Sequence, residues 1–260
     1  MESEKFKCGK CGKKFNTKES LIQHTRDAHE TKTGSEKVRI PVKKYAIYAI
    51  AALILIGFGF GLYILITSVQ NVGSANINNF TLPSYAVNRG SDSANVTIVE
   101  FGDYQCPVCQ AFFIQSEPQM MEDYVNSGKA KFYFLDFSFL GPDSFTLAQG
   151  SWCANEQGKY YDFHDYVYSN QGVENSGWAT PAEVNAFASN IQDIDVQNFT
   201  SCLDSGRYQS RIQEANEFAR SYGVGATPTF IIGRPDVGFT MIVGNQPYLA
   251  IQQVIEKYLK

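Results

Sequence analysis

The longest apolar run of the chain, residues 45–67, contains no charged side chain. As an α-helix these 23 residues would measure about 34 Å, whereas the hydrocarbon layer of a bilayer is about 30 Å thick. A buried core helix rarely continues this far without a charge, so the pattern predicts a single membrane-spanning helix in contact with lipid. The 44 residues before it are mainly polar, which argues against a cleaved signal peptide.

The distribution of basic residues predicts the orientation of this helix. Four Lys and Arg residues lie between positions 37 and 44, and the next basic residue after the apolar run is Arg89. The positive-inside rule therefore predicts that residues 1–44 are cytoplasmic and residues 68–260 are extracytoplasmic, as in a signal-anchored membrane protein. The net charge of −4 combines a basic first part with an acidic later part, and it gives no overall attraction to nucleic acid.

Beyond the apolar run, strand-like and helix-like patterns predict an α/β domain over residues 94–260. Residues 96–101 and 131–137 are apolar runs of strand length. Helical patterns dominate residues 143–220, and the C-terminal tail predicts a last strand followed by a closing helix. The polar residues 68–93 are typical of a stalk and an entry strand.

A Cys/His motif lies within residues 1–34. Cys8 and Cys11 are separated by two residues, twelve residues follow, and His24 and His29 are separated by four. Two thiolates on a tight turn and two imidazoles one helical turn apart can meet at the corners of a tetrahedron, the geometry that Zn²⁺ prefers. Since so short a segment has little core of its own, we expect zinc binding and folding to be one event.

This motif, with Phe6, Phe15 and Leu21 at the apolar positions, resembles a C2H2 zinc finger. The resemblance implies a small ββα fold around a structural zinc ion. A single finger would read about three base pairs, and the basic linker at 35–44 leads to no second finger. We therefore favour an interaction module for a cytoplasmic protein over a nucleic-acid reader. The alternative, a redox-active or solvated C-x-x-C, leaves both histidines unexplained.

A second C-x-x-C pair, Cys106 and Cys109, follows the strand predicted at 96–101. Cys106 falls at or near the N-terminus of the next helix, where unpaired amides and the helix dipole stabilise a thiolate. Pro107 suits the first helical turn because its nitrogen carries no hydrogen. Cys109, one turn further on, would be shielded and would resolve mixed disulfides formed at Cys106. The pattern predicts a redox-active dithiol.

Two other positions are candidates for the same site. Glu100 stands six residues before Cys106 on the predicted strand, where a buried carboxyl group could exchange a proton with Cys109. The alternative is an ordinary strand-end acid exposed to water. Much further along the chain, Pro228 immediately precedes an apolar strand and cannot donate to a central ladder, so it indicates a special turn.

The two distant segments together carry a family resemblance. V-E-F-x-D-Y-x-C-P-x-C, followed much later by G-V-x-A-T-P-T-F, resembles the DsbA-like thioredoxin-fold thiol–disulfide oxidoreductases over about residues 80–260. The resemblance implies a thioredoxin fold with a helical insertion. It also implies that Pro228 is cis and that Thr227–Pro228 faces the Cys106 sulfur. Ala226 stands where the family more often has Gly. We expect no separate cofactor in this redox domain.

The predicted helical insertion contains the last cysteine pair, Cys153 and Cys202. Outside the membrane, two such thiols would oxidise to a structural disulfide, which would stabilise the fold by about 4 kcal/mol in the chain-entropy model. Two buried free thiols are the alternative. The aromatic side chains near His164 predict insertion core, and the sequence around this histidine suggests no catalytic partner.

Whether the dithiol oxidises, isomerises or reduces its substrates depends on its reduction potential. The residues between the two redox cysteines, here Pro-Val, influence that potential. Without a His in this pair, we expect a milder potential than that of the strongest oxidants. The extracytoplasmic position favours forming or isomerising disulfides in unfolded or reduced secreted proteins over reducing them. The resemblance implies a quinone-linked membrane protein as re-oxidase. The alternative class is a membrane-tethered sensor or binding scaffold, in which Cys106 would not turn over.

Overall fold

The computed structural model describes three parts of the chain, namely residues 6–30, 53–57 and 74–260. The chain forms two compact units, Met1–Phe60 and Gly61–Lys260. The predicted membrane helix at 45–67 lies outside the described residues except for 53–57, which are helical. Among the helices that the structure describes, none is both long enough and apolar enough to cross a membrane.

Within the first unit, residues 6–30 form two short strands followed by a helix. β1 (Phe6–Lys7) pairs antiparallel with β2 (Lys14–Phe15), and α1 follows as Lys18–His29. The hydroxyl of Thr17 accepts a hydrogen bond from the amide of Ser20 at 3.2 Å, which satisfies one of the unpaired amides at the helix start. The element order is the predicted ββα.

A six-stranded mixed sheet organises the second unit. In chain order its strands are β3 (Ser74–Ile77), β4 (Asn88–Gly90), β5 (Val96–Gly102), β6 (Ala130–Asp136), β7 (Thr229–Arg234) and β8 (Gly238–Val243). Across the sheet they lie in the order β3-β8-β7-β5-β6-β4. Only β5 and β6 pair in parallel among the described strands; the other neighbouring pairs are antiparallel.

The described helices of this unit lie between and after the central strands in the sequence. They are α2 (Pro107–Gln115), α3 (Glu117–Met120) with a π-helical turn at Met121–Val125, α4 (Pro142–Asn155), α5 (Tyr160–Ser169), α6 (Pro181–Ala188), α7 (Val196–Ser205), α8 (Gln209–Ser221) and α9 (Tyr248–Leu259). Helices α4 to α8 form one insertion between β6 and β7, close to the predicted limits of 143–220.

Strand β5 lies in the middle of the core. All seven of its residues are buried, which explains why most of them are apolar, since a central strand is covered on both faces. Val96 and Ile98 pack in one hydrophobic core and Val99 and Phe101 in another, as the alternation of side chains along a strand requires. By the same alternation Glu100 shares the face of Ile98.

Two strands of the sheet come from the segment predicted as stalk and entry strand, 68–93. β3 pairs with β8 and β4 pairs with β6, so both lie at the edges of the sheet. Phe80, between them in sequence, is buried in the second core. Edge strands have a partner on one side only and tolerate polar residues, so the polar composition of this segment is compatible with its place in the sheet.

Candidate functional site

The redox-cysteine segment connects β5 to α2. Cys106 is the N-cap of α2, and Pro107 is the first helical residue. The Cys106 amide donates to the carbonyl oxygen of Asp103 at 2.9 Å, and the Cys106 carbonyl accepts from the amide of Gln110 at 3.1 Å. This start to the helix directs unpaired amides toward the Cys106 sulfur.

The Cys106 thiol is strongly acidified. A hydrogen bond from Cys109 lowers the pKa of Cys106 to about 6, helped by the side chain of Thr227 and by the amides of Cys109 and Val108, while burial acts in the opposite direction. Cys106 is therefore mainly thiolate at neutral pH, and the thiolate is the nucleophile in disulfide exchange.

Cys109 has the opposite character. It is fully buried, and this burial raises its pKa well above the ordinary thiol value, with further contributions from its hydrogen bond to Cys106 and the charge of Glu100. Cys109 therefore keeps its proton where Cys106 has lost its own. One sulfur is ready to react, and the other must lose a proton before it can attack.

The turn before β7 closes the site on the other side. The Thr227–Pro228 peptide bond is cis, and the Cys106 sulfur lies 3.4 Å from the carbonyl oxygen of Thr227. The Pro228 carbonyl accepts a hydrogen bond from the Gly244 amide at 2.7 Å, which ties the turn to the end of β8. The structure thus brings Thr227 and Pro228 beside the Cys106 sulfur.

Glu100 lies beneath the dithiol, between Phe134 and Phe230 on the neighbouring strands. It is 1% exposed, and burial raises its pKa well above the usual carboxyl range, assisted by the negative charges of Glu117 and Cys106. Its Oε2 atom has no hydrogen-bond partner in the described part of the chain. A buried carboxyl group with a raised pKa can hold a proton near neutral pH and transfer it.

A polar cluster that the sequence did not reveal holds the Cys106 segment in place. The buried carboxylate of Asp103 accepts hydrogen bonds from the Gln105 amide at 2.9 Å and the Ser144 hydroxyl at 2.6 Å. The Gln105 side chain donates to Ser144 at 2.9 Å and accepts from the Asn175 amide at 2.7 Å. Gln171 donates to the Cys106 carbonyl at 3.2 Å. The helical insertion therefore positions the dithiol.

Sequence reasoning missed this cluster because its members come from separate segments. Asp103 and Gln105 precede the C-x-x-C, whereas Ser144 and Asn175 belong to the insertion. The D-Y-Q run directly before Cys106 is the one local signal that could have indicated it.

For His164 the sequence indicates no catalytic partner. In the structure its Nδ1 atom lies 2.8 Å from Oδ1 of Asp165, the next residue in the chain.

The third cysteine pair is a disulfide. Cys153 on α4 and Cys202 on α7 are bonded, with their Cα atoms 5.7 Å apart, within the usual range for this bond. Both residues are buried. The bond joins two helices of the insertion, far from Cys106 in sequence.

The first unit brings its four predicted ligands together. One donor atom from each of Cys8, Cys11, His24 and His29 lies within 4.8 Å of the other three. Amide hydrogen bonds from Cys11 and Lys10 lower the pKa of the Cys8 thiol, and the buried Nε2 atom of His29 has no hydrogen-bond partner among residues 6–30, 53–57 and 74–260. Two thiols and two imidazoles, one with an unpartnered nitrogen, fit a tetrahedral Zn²⁺ ion.

A mixed sheet with a C-x-x-C at a helix N-terminus opposite a cis-proline defines the class of thioredoxin-fold thiol–disulfide oxidoreductases. The family model described as thioredoxin matches residues 84–257, and the chain belongs to this family. The C2H2-type zinc finger model matches residues 6–29. These matches confirm the predicted thioredoxin fold and the resemblance of the N-terminal segment to a C2H2 finger.

Proteins that form disulfide bonds are similar to this chain over most of its length. "Probable disulfide bond formation protein D" of Bacillus anthracis is 27% identical over 218 residues, which cover 82% of this chain and 94% of the relative. "Disulfide bond formation protein D" of Bacillus subtilis strain 168 is 29% identical over 174 residues, covering 66% of this chain and 76% of the relative.

Solved structures of related oxidoreductases are similar to this chain. Oxidised BdbD from Bacillus subtilis superposes with a TM-score of 0.60 at 29% identity, covering 66% of this chain and 91% of that chain. DsbA of Chlamydia trachomatis has a TM-score of 0.59 at 22% identity, covering 70% and 95%, and at this identity it supports the fold alone. With the relatives above, these findings identify a disulfide oxidoreductase of the oxidase-like kind.

Proposed function

We propose that this protein is anchored in the membrane by residues 45–67 and forms or isomerises disulfides in secreted proteins outside the cytoplasm. The charge-free apolar run supports the anchor, and the observation that carries the redox activity is the opposite protonation of the two redox cysteines. Cys106 has a pKa of about 6, whereas burial raises the pKa of Cys109 well above 9. A stabilised Cys106 thiolate favours the reduced form of the pair, which makes the disulfide form an oxidant.

The proposed reaction moves two electrons from a substrate dithiol to the enzyme disulfide. A substrate thiolate attacks the Cys106 sulfur of the Cys106–Cys109 disulfide, and Cys109 leaves as a thiolate that takes a proton from Glu100. The second substrate thiolate then attacks the substrate sulfur of the mixed disulfide, and Cys106 leaves as a thiolate. The substrate gains a disulfide, and the enzyme holds one thiolate and one thiol.

Exposed apolar side chains near Cys106 support unfolded or reduced proteins as substrates. Val108 and Phe139 are 42% and 40% exposed. Val108 lies between the two cysteines, and the amide of Phe139 donates to Asp103 at 2.9 Å. Apolar surface of this kind binds exposed apolar segments of a chain that has not finished folding. Thr227 and Pro228 would contact the substrate backbone beside the sulfur.

Re-oxidation requires an electron acceptor, and we propose a quinone-linked membrane protein for that role. Cys106 would attack the partner's disulfide, and Cys109, after losing its proton, would attack Cys106 to restore the enzyme disulfide. The partner would leave with two electrons. The Bacillus relatives are named for disulfide bond formation, which supports this direction.

For the N-terminal unit we propose a structural zinc site that serves protein contact in the cytoplasm. Cys8, Cys11, His24 and His29 would hold the ion, which would stabilise the fold of this small unit without taking part in disulfide exchange. The cytoplasmic placement is supported by the basic residues that precede the apolar run.

The decisive test is the reduction potential of the dithiol, measured by equilibrating the purified full-length protein, in mild detergent, against glutathione. Cys106→Ser is the control that cannot form the bond. A potential above about −200 mV would support an oxidase or isomerase, and one near or below about −270 mV would indicate a reductase. A pair that never exchanges would contradict the enzymatic proposal and leave a sensor or binding scaffold.

A further inference from the structure

A cluster of buried acid and base groups lies close to the dithiol and has no part in the reaction described so far. Glu117 on α3 is 3% exposed, and His164 on α5 is fully buried. One donor atom from each of Glu117, His164 and Asp165 lies within 4.8 Å of the other two. Glu117 and His164 are buried and Asp165 is partly exposed, so this group of titratable side chains extends from the protein interior to its surface.

Arg89 on β4 connects the two carboxyl groups of this cluster. Its guanidinium binds the Asp165 carboxylate at 3.0 and 2.9 Å and reaches Oε1 of Glu117 at 3.4 Å. Two atoms remain without hydrogen-bond partners in the ranges that the structure describes, Oε2 of Glu117 and Nε2 of His164. Leaving buried polar atoms unpaired is costly, so their retention calls for an explanation.

The protonation states make these two atoms complementary. Burial raises the pKa of Glu117 to about 8, and the charge of Asp165 adds to the effect while Arg89 opposes it. Burial also lowers the pKa of His164, so its ring is neutral, although Asp165 opposes this shift. With Nδ1 donating to Asp165, the His164 Nε2 atom is a free acceptor. Protonated Glu117 can donate a hydrogen bond, and Nε2 of His164 can accept one.

The inner end of the cluster reaches the carboxyl group beneath the dithiol. Glu117 lies close enough to Glu100 for its charge to raise the Glu100 pKa. Phe134, the strand neighbour of Glu100, has its ring centroid 4.6 Å from that of His164. Cys109 and Glu100 are 0% and 1% exposed, so a proton on either group needs a route through the protein.

The outer end of the cluster opens to solvent. The side chains of Arg89 and Asp165 are about one-third exposed, at 33% and 36%. Asp165 also lines an open surface cleft of about 380 Å³ with Lys159, Asp162 and Tyr166. A proton that reaches Asp165 is therefore at the protein surface.

We propose that Glu117, assisted by His164, carries the Cys109 proton between Glu100 and the solvent at the Asp165 cleft. When Cys109 leaves as a thiolate, Glu100 protonates it and takes a replacement proton from Glu117, which is reprotonated from the cleft. Re-oxidation runs the same transfers in reverse, so one proton enters and one leaves in each cycle. The Oε2 atoms of Glu100 and Glu117 have no hydrogen-bond partner in the described part of the chain, so the proposed transfer between these two groups uses a bridging water. The inference rests on the proposed roles of Cys109 and Glu100.

The groups that face Glu117 set its response to pH. They are Arg89 from β4, Glu100 from β5, and Tyr161, His164 and Asp165 from α5. The transfer should therefore titrate with Glu117, near pH 8, as a property of this group of side chains. It should not follow the ionisation of Cys106, which lies near pH 6.

The test separates attack by Cys106 from resolution by Cys109. Reduced full-length protein carrying Cys8→Ser and Cys11→Ser is mixed with 5,5′-dithiobis(2-nitrobenzoate) in a stopped-flow instrument between about pH 5 and pH 10. The first thiol released reports the Cys106 attack, and the second reports the Cys109 attack that requires deprotonation. The variants are Glu117→Gln, His164→Gln and Glu100→Gln, with the exposed Glu122→Gln as matched control. Thermal melts establish that each variant is folded.

In Glu117→Gln we expect the second phase to slow by about tenfold and to lose its inflection near pH 8. This factor is smaller than the loss usual for a general acid or base that acts directly on a reacting atom, because Glu117 acts through Glu100. The first phase should be unchanged, as should both phases of Glu122→Gln. His164→Gln should slow the second phase as well. The reference is the protein that carries only Cys8→Ser and Cys11→Ser. If Glu100→Gln alters the second phase while Glu117→Gln and His164→Gln behave like the reference, proton transfer through Glu117 is overturned and the proposed role of Glu100 stands. If the reference shows no second phase, both proposals are overturned.

Discussion

The Cys106 sulfur lies 3.4 Å from the carbonyl oxygen of Thr227, a residue 121 positions further along the chain. The contact arises because β5 and β7 are antiparallel neighbours with Phe101 opposite Thr229. The end of β5 and the start of β7 therefore meet at one edge of the sheet. The segment leaving β5 carries the dithiol, and the turn entering β7 carries the cis-proline.

The side chain of Thr227 should contribute to the acidity of Cys106. In Thr227→Val the thiolate loses a hydrogen bond, so we expect the pKa of Cys106 to rise from about 6 by about one unit, equivalent to about 1.4 kcal/mol. The pH dependence of iodoacetamide alkylation of the reduced protein measures this. Thr146→Val, whose hydroxyl donates to its own helix, is the control. An unchanged profile in Thr227→Val would show that the amides at the helix start suffice.

Asp136 should make the protein less stable as the pH rises. It is buried, its carboxylate accepts a hydrogen bond from Trp152 at 3.0 Å, and burial raises its pKa to about 7. Between the unfolded value of 3.8 and about 7 the folded protein holds a proton that the unfolded chain has lost. Stability from this group is therefore complete below pH 3.8 and declines as the pH rises through 7.

Asp136→Asn should remove that decline. Three pKa units correspond to about 4 kcal/mol, so the loss of stability between about pH 5 and pH 8 should be smaller in the variant by a few kcal/mol. Urea unfolding at the two pH values provides the measurement, with the exposed Asp204→Asn as control. Equal pH dependence in Asp136→Asn and the unsubstituted protein would contradict the prediction.

The Cys153–Cys202 disulfide should stabilise the insertion without taking part in exchange. Replacing both cysteines by Ala should lower the free energy of unfolding by about 2–5 kcal/mol. The Cys106/Cys109 pair should still exchange with glutathione, because its hydrogen-bond partners include neither residue. Denaturant unfolding and a glutathione titration of the same variant separate the two effects. A variant that keeps its stability but loses exchange would reverse this assignment of roles.

The N-terminal unit should bind one zinc ion per chain. Cys11→Ser or His29→Ala should abolish binding, since either change leaves three of the four donors, and Co²⁺ titration would show the loss of the tetrahedral absorption bands. His164→Gln is the matched control, because His164 is the third histidine of the chain. Removing zinc with a chelator should leave disulfide exchange unchanged. Full metal binding by Cys11→Ser would exclude the proposed ligand set.

Glu100, Glu117 and His164 show how far local sequence supports inference about this site. The position of Glu100 six residues before Cys106 on an apolar strand indicated a candidate, because the side-chain alternation of a strand is regular. Glu117 and His164 carry no such signal. They come from α3 and α5 and meet only in the folded chain, where Arg89 from β4 binds Glu117.

The sequence by itself determined the features that depend on spacing along the chain. These are the C-x-x-C at a helix start, the Cys/His spacing of the finger, and the strand and helix patterns of an α/β domain. Each follows from local geometry, which has a fixed period for helices and strands. The long apolar run at 45–67 is a prediction of the same kind.

Only the tertiary structure decided which distant groups share an environment. It placed Thr227 beside Cys106, the insertion residues Ser144 and Asn175 against Asp103 and Gln105 respectively, and Glu117 near Glu100. It also decided the protonation of these groups, because a pKa depends on burial and on neighbouring charges. Both are set by the packing of segments that lie far apart in the sequence.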